Sequence, residues 1–235
     1  LYADLDFINK TITPINNFTG KFDGNNHTIS NIRIEGGNPI FYQLTGGTIK
    51  NLYVENYRDL SYSSHVGFIG LVQSSGDVEN VHLKGVTLYG SYRVGGIAAY
   101  TNGSTISDCS VTDIKVYIND EKHKSYEGRI GGFIGENNTT IIENSFVRGL
   151  DMNVTQAFAT YGVGGFIGRN NSGYVYNSYA QGMLNTTAVE VGGIVGNNSG
   201  YISRVFSAVD VYTQQDSLGG VVGYSTNDYI SNTLV

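Results

Sequence analysis

The phrase Val-Gly-Gly-Phe-Ile-Gly at 163–168 recurs with small changes as Ile130–Gly135, Val191–Gly196 and Leu218–Gly223, and more loosely as Val66–Gly70 and Val94–Ala98. The copies begin at 66, 94, 130, 163, 191 and 218, so they lie 28, 36, 33, 28 and 27 residues apart. Self-similarity at such a period marks a chain that stacks one unit on the next, as a solenoid or a propeller, and not a single globular core.

A second phrase, aliphatic-x-Asn, follows each glycine phrase and sets the register: Ile49-Lys50-Asn51, Val78-Glu79-Asn80, Ile106-Ser107-Asp108, Ile142-Glu143-Asn144, Val175-Tyr176-Asn177, Ile202-Ser203-Arg204 and Ile230-Ser231-Asn232. An earlier copy, Ile29-Ser30-Asn31, brings the expected number of coils to roughly eight. One and three residues past the Asn, the columns hold small or aliphatic side chains, such as Leu52, Val81, Cys109 and Val54, Leu83, Val111. That alternation is the period of a strand with one buried face. The column between them, Arg33, Tyr53, His82, Ser110, Phe146, Tyr179, Phe206 and Leu234, is expected to face outward. Five past the Asn come Gly36, Asn56, Gly85, Asp113, Gly149 and Gly182, residues that accept a left-handed corner.

Coils of about 27–36 residues with short strands and Gly or Asn at the bends predict an all-β right-handed parallel β-helix. A propeller is the rival, although its blades are longer. Equivalent residues of successive coils then stack roughly 4.8 Å apart. The column Asn31, Asn51, Asn80, Asp108, Asn144, Asn177 and Asn232 is therefore expected to form a ladder of stacked amides that also satisfies turn carbonyls. Arg204 is expected to swing out of it.

Composition fits one elongated domain over 1–235, with an opening coil at 1–39 and repeats over 40–235. Gly is 32 of 235 residues, about twice ordinary usage, and only 14% of residues are charged. A net charge of −6 without a basic run argues against nucleic acid or an anionic membrane as partner. No apolar run approaches the length of a membrane helix. The chain begins without Met or a leader and stops in mid-coil, which is expected of a piece of a larger protein, since solenoid ends need caps. The lone Cys109 reads as core.

Two stretches interrupt the repeat. Residues 119–129 hold the densest charge cluster, including Lys122, His123 and Tyr126, and 150–161 forms a second insert. Inserts in repeats project as loops and often line a binding face.

The residues carry no catalytic constellation and imply no cofactor: no His-Glu-x-x-His, and four His in four different coils. A carboxylate pair for polysaccharide cleavage would have to come from Glu35 and Glu55, on the expectation that these stack on adjacent coils. Asp4, Asp6 and Asp23 form a looser acidic group that could hold a hard cation. The many Asn-x-Ser/Thr triplets read as turn chemistry in a chain this rich in Asn, Ser and Thr.

The phrase Gly-Gly-Phe-Ile-Gly-x-Asn-Asn followed by Ile/Val-x-Asn-Ser resembles the GLUG repeat. The opening Phe18-Thr19-Gly20-Lys21-Phe22-Asp23-Gly24-Asn25-Asn26-His27-Thr28-Ile29, with Gly47-Thr48-Ile49-Lys50-Asn51-Leu52, is similar to the start of the repeat region in streptococcal IgA1-protease-type zinc metallopeptidases. This resemblance implies a non-catalytic β-helical module lying upstream of a zinc-binding catalytic domain, in a secreted or cell-wall-attached bacterial protein. The implied partners are the other domains of the parent and a large host glycoprotein such as immunoglobulin. An adhesin-like stalk that binds a host protein or glycan has the same physics, and a β-helical polysaccharide lyase or glycosidase is the enzymatic alternative. For an interaction surface the sequence offers Phe146, Tyr179, Phe206 and Leu234, four successive outward positions, and beside them the run Tyr174, Tyr201 and Tyr229, which could also pack inward.

Overall fold

The computed structural model describes residues 1–10, 12–118, 128–154, 160–214, 217–227 and 229–235. It is a parallel β-solenoid of about eight turns. Among the described residues there is no helix, and the strands form three parallel sheets of 13, 7 and 6 strands, the first beginning at Leu5, the second at Phe41 and the third at His65.

The glycine phrase makes a corner where the backbone has no room for a side chain. A Cβ on Gly164 would overlap the carbonyl oxygens of Ile167 and Ile194, so the turn and the coil packed against it both require glycine. The residues beyond the pair, Phe133 and Phe166, stack in the core at 4.5 Å between ring centroids. The inward columns are as the alternation predicts: Leu52, Val81, Cys109 and Val205, and Val54, Leu83, Val111, Val147 and Ala180, are all buried. Two of the polar members bond the carbonyl two residues before them: Ser145 Oγ donates to the Glu143 carbonyl at 2.8 Å and Ser178 Oγ to that of Tyr176 at 2.6 Å. Burial pushes the Cys109 thiol up to about 12, which leaves it an inert core group.

Both corner positions take left-handed backbone. From Asn51 to Asn232 the Asn-phrase column has φ between 46° and 54°, Asp108 and Arg204 included, and Asn56, Gly85, Asp113 and Gly149 follow at 53° to 69°.

Asn31 departs from its expected place. Ile29 pairs with Val54 and Ser30 with Glu55, after a register shift between Asp23 and His27. Asn31 consequently stacks on Asn56, five residues along from Asn51, and accepts the Asn56 amide at 3.1 Å. The same shift separates the two candidate carboxylates. Glu55 has Ser30 and Lys84 as its neighbours, whereas Glu35 lies past the strand Arg33–Ile34 and accepts the Arg33 guanidinium at 2.6 Å. The geometric basis for a Glu35–Glu55 acid pair is gone.

Both expected inserts are shorter than the sequence suggests. Gly128–Gly131 is a strand, and Leu150, Met152 and Val154 are buried in Phe146–Val154, with Leu150 and Met152 paired with Ile114 and Val116 of the coil before. Lys122, His123 and Tyr126 lie outside the described residues.

Candidate interaction face

The largest sheet carries the outward column on its exposed side. Its register runs Thr28, Tyr53, His82, Ser110, Phe146, Tyr179, Phe206, Leu234, each the direct partner of the next. Thr28 takes the place expected for Arg33, again because of the register shift. Phe146 and Tyr179 lie parallel, 4.9 Å apart with 1° between ring planes. Phe206 is 41% exposed and Leu234 64%.

A second aromatic row stands beside it. Tyr174 and Tyr201 stack at 4.7 Å, and Tyr201 and Tyr229 at 4.3 Å. These rings flank buried Val175 and Ile202 on the strand, so they point out of the solenoid and not into its core. Partial desolvation and the neighbouring Tyr229 and Tyr174 hydroxyls push the Tyr201 phenol above its usual range. Between the two rows runs part of the Asn column: Asn177 donates to Asn144 Oδ1 at 3.1 Å, and Arg204 Nε donates to Asn177 Oδ1 at 2.6 Å. Arg204 thus joins the ladder it was expected to leave. Its Nε–H replaces the amide donor, and its guanidinium lies 5.8 Å from the Tyr176 ring.

The ring geometry decides what this face can offer. In the Phe146–Tyr179 pair and the Tyr174–Tyr201–Tyr229 stack, neighbouring rings cover each other's faces, so edges and hydroxyls meet solvent there. A sugar stacking face-on finds no platform within these stacks. A protein surface that packs against edges and accepts hydroxyls does.

The earlier end of the Asn column is a separate run. Asn80 donates to Asn51 Oδ1 at 2.9 Å, and Asn51 donates to Asp23 Oδ1 at 3.1 Å. His82 contacts Asn80 Oδ1 through Nε2 at 2.8 Å and Ser110 Oγ through Nδ1 at 2.9 Å. Ser110, His82 and Asn80 stand in the order of a nucleophile, a base and its orienting group. Ser110 is 5% exposed, however, wedged in the outward column between His82 and Phe146, and a substrate carbonyl has no approach to it.

The strongest amide ladder escaped the sequence reading. Asn137, Asn170 and Asn198, each two residues past the last Gly of a glycine phrase, are fully buried. Asn137 donates to Asn170 Oδ1 at 2.9 Å and Asn170 to Asn198 Oδ1 at 2.8 Å, while each also bonds a turn carbonyl, of Thr140, Gly173 and Gly200. Two of these residues open Asn-x-Ser/Thr triplets, and their burial makes them turn elements and not glycan acceptors. The recurrence of Asn-Asn at 137, 170 and 197 was the available signal.

The acidic residues near the start of the chain are structural. Asp4 accepts the Thr28 amide at 2.8 Å, Asp6 the Asn31 side chain at 2.8 Å and Asp23 the Asn25 amide at 2.8 Å, so the acidic residues act singly. Among the described residues no three His, Cys, Asp or Glu converge as a metal site. At a corner of the other two sheets, Arg93 bonds Glu136 at 2.6 Å and His65 Nε2 at 3.1 Å. Burial, helped by the Arg93 charge, pushes His65 down to about 4 and keeps it neutral.

Residues 90–117 match the family model described as the GLUG motif. In fold, the chain is similar to a solved structure named IgA1 Protease, with a TM-score of 0.70 and 21% sequence identity, over 99% of this chain and 19% of that one. The chain spans about one fifth of the length of that relative. No curated protein matches it in sequence. The chain thus carries the GLUG motif at residues 90–117 and shares its fold with a part of that structure.

Proposed function

We propose that the chain is a non-catalytic interaction module of a secreted or cell-surface bacterial protein, and that within an IgA1-protease-like zinc metallopeptidase it positions a large glycoprotein substrate such as immunoglobulin. The observation that carries this reading is the double aromatic row on a rigid sheet, with Phe206 and Tyr229 41% and 55% exposed. A monomer rarely leaves so long an aromatic stripe in water, and Tyr is an apt interface residue because it buries much area at low entropic cost. The register of a parallel solenoid fixes these rings before any partner arrives, which lowers the ordering cost of binding. An adhesin-like stalk would use the same face. The stacked ring faces favour a protein partner over a glycan for either.

Hydrogen exchange of the protein with and without immunoglobulin tests the reading. Slowed exchange confined to Tyr174–Thr186 and Tyr201–Tyr212 is the expected result. Protection elsewhere, with these strands unchanged, contradicts it.

A further inference from the structure

The first coil leaves a gap that later coils fill. Leu5 and Asp6 pair with Ile29 and Ser30, and a straight continuation would run beside Arg33–Ile34. Instead Asp6 Oδ1 accepts the Ile8 amide at 2.9 Å, Asn9 takes φ 56°, Lys10 N–H donates to the Phe7 carbonyl at 3.0 Å, and the chain turns away. Arg33–Ile34 therefore pairs on one side only, with Arg58–Asp59. The bonds from Arg58 N–H to Ile32 O and from Leu60 N–H to Ile34 O mark the paired edge. Successive residues of a strand aim their backbone groups at opposite edges, so the N–H and C=O of Arg33 lie on the open one.

At this edge is a cleft of about 900 Å³, between the departing segment and the outward side chains of the first coils. Four cations line it, Lys10, Arg33, Arg58 and Lys115, against two carboxylates, Glu35 and Asp113, in a chain whose net charge is −6. Arg33, Arg58, Thr87 and Lys115 occupy one row, each the register partner of the next. Arg33 has Glu35 as its partner, whereas Lys10, Arg58 and Lys115 make no ion pair among the described residues. Like charges directly opposite each other on neighbouring strands destabilise a sheet, so the Arg33–Arg58 pairing is a local cost that an anionic ligand would relieve. The rest of the lining mixes Asn, Thr and Gly with aliphatic side chains and has Phe7 as its one aromatic ring, so there is no stacking platform for sugars.

We propose that this cleft binds an extended acidic peptide segment, with its main chain along the open edge at Arg33 and its carboxylates on Arg58 and Lys115. This site is independent of the aromatic face, and either can fail without the other.

The test is fluorescence anisotropy of the protein with a labelled peptide of alternating Glu and Val, against a Lys and Val control. The acidic peptide should bind and the control should not, with affinity falling as salt rises. Arg58→Glu with Lys115→Glu should weaken binding by about tenfold or more through loss of the charge-assisted bonds, with circular dichroism unchanged; Arg58→Gln with Lys115→Gln serves if the reversal does not fold. Tyr179→Ser with Phe206→Ser should leave the affinity as it was. Methylating alternate peptide nitrogens keeps the charge and removes strand pairing, and should also weaken binding. Absent binding, undiminished binding by the charge variants or by the methylated peptide, or displacement by heparin at lower concentration than by unlabelled peptide would overturn the proposal.

Discussion

His82 Nδ1 lies 2.9 Å from the hydroxyl of Ser110 on the next coil. Which of the two donates is settled two coils before His82. The Asp23 carboxylate accepts only, so Asn51 presents its Nδ2 there and its Oδ1 to Asn80; Asn80 then donates to Asn51 and offers its Oδ1 to His82. His82 must donate from Nε2, and Ser110 donates to Nδ1.

His82 is therefore expected as the neutral Nε2–H tautomer, with its pKa below the usual histidine range because burial outweighs the attraction of Asp108. Nitrogen-15 NMR reads both properties. Asn80→Asp should raise the His82 pKa, since a carboxylate stabilises the imidazolium; an Nδ1–H tautomer in the wild type would break the relay.

The two amide ladders should differ in worth. Asn170→Leu removes one hydrogen bond each from the buried Asn137 and Asn198 amides and from the Gly173 carbonyl, for a loss of about 2–4 kcal/mol. Asn177 is exposed, and its main service is φ 46°, so Asn177→Gly should cost well under 1 kcal/mol while Asn177→Leu costs about 1–2 kcal/mol, from the left-handed penalty and the lost bonds. Urea unfolding separates the three; equal losses for Asn170→Leu and Asn177→Gly would contradict this ranking.

Acid should act on one buried and one half-buried group in opposite directions. Asp59, whose carboxyl accepts the Ser61 and Gly67 amides, is pushed up by burial to about 6 from 3.8, so its contribution is present at low pH and lost as pH rises from about 4 to 6. His65, pushed down to about 4 from 6.5, contributes above pH 6.5 and loses that contribution as pH falls towards 4. Asp59→Asn removes the first effect alone. Relative to wild type it should gain about 2 kcal/mol between pH 4 and pH 7 in urea unfolding, and a pH-independent difference would show that Asp59 titrates normally.

The repeat phrases displayed the solenoid because each coil must present the same inward columns and the same left-handed corners. They misplaced Asn31 for a physical reason. Ile29-Ser30-Asn31 carries the same aliphatic-x-Asn pattern as the true phrase, and the register is set by the bulge at Asn25 and Asn26, whose φ of 51° and 61° one-dimensional periodicity does not display. The buried ladder was visible as recurring Asn-Asn but not as buried, since an amide whose partner is the same residue one coil on looks like any turn Asn. The cleft at Arg33 arises from the chain leaving the stack at Asn9, which no local pattern announces.

The aromatic face is the centre of this account, and replacing Tyr179 and Phe206 together by Ser tests it most directly, with folding read by circular dichroism and thermal melting and association read against immunoglobulin and the remaining domains of the parent protein. Retained folding with association weakened by about tenfold or more, as expected when two anchor rings of an interface are removed, is the predicted result. Lost folding would make the column part of the core, and intact folding with undiminished association would make it idle surface; either contradicts the account.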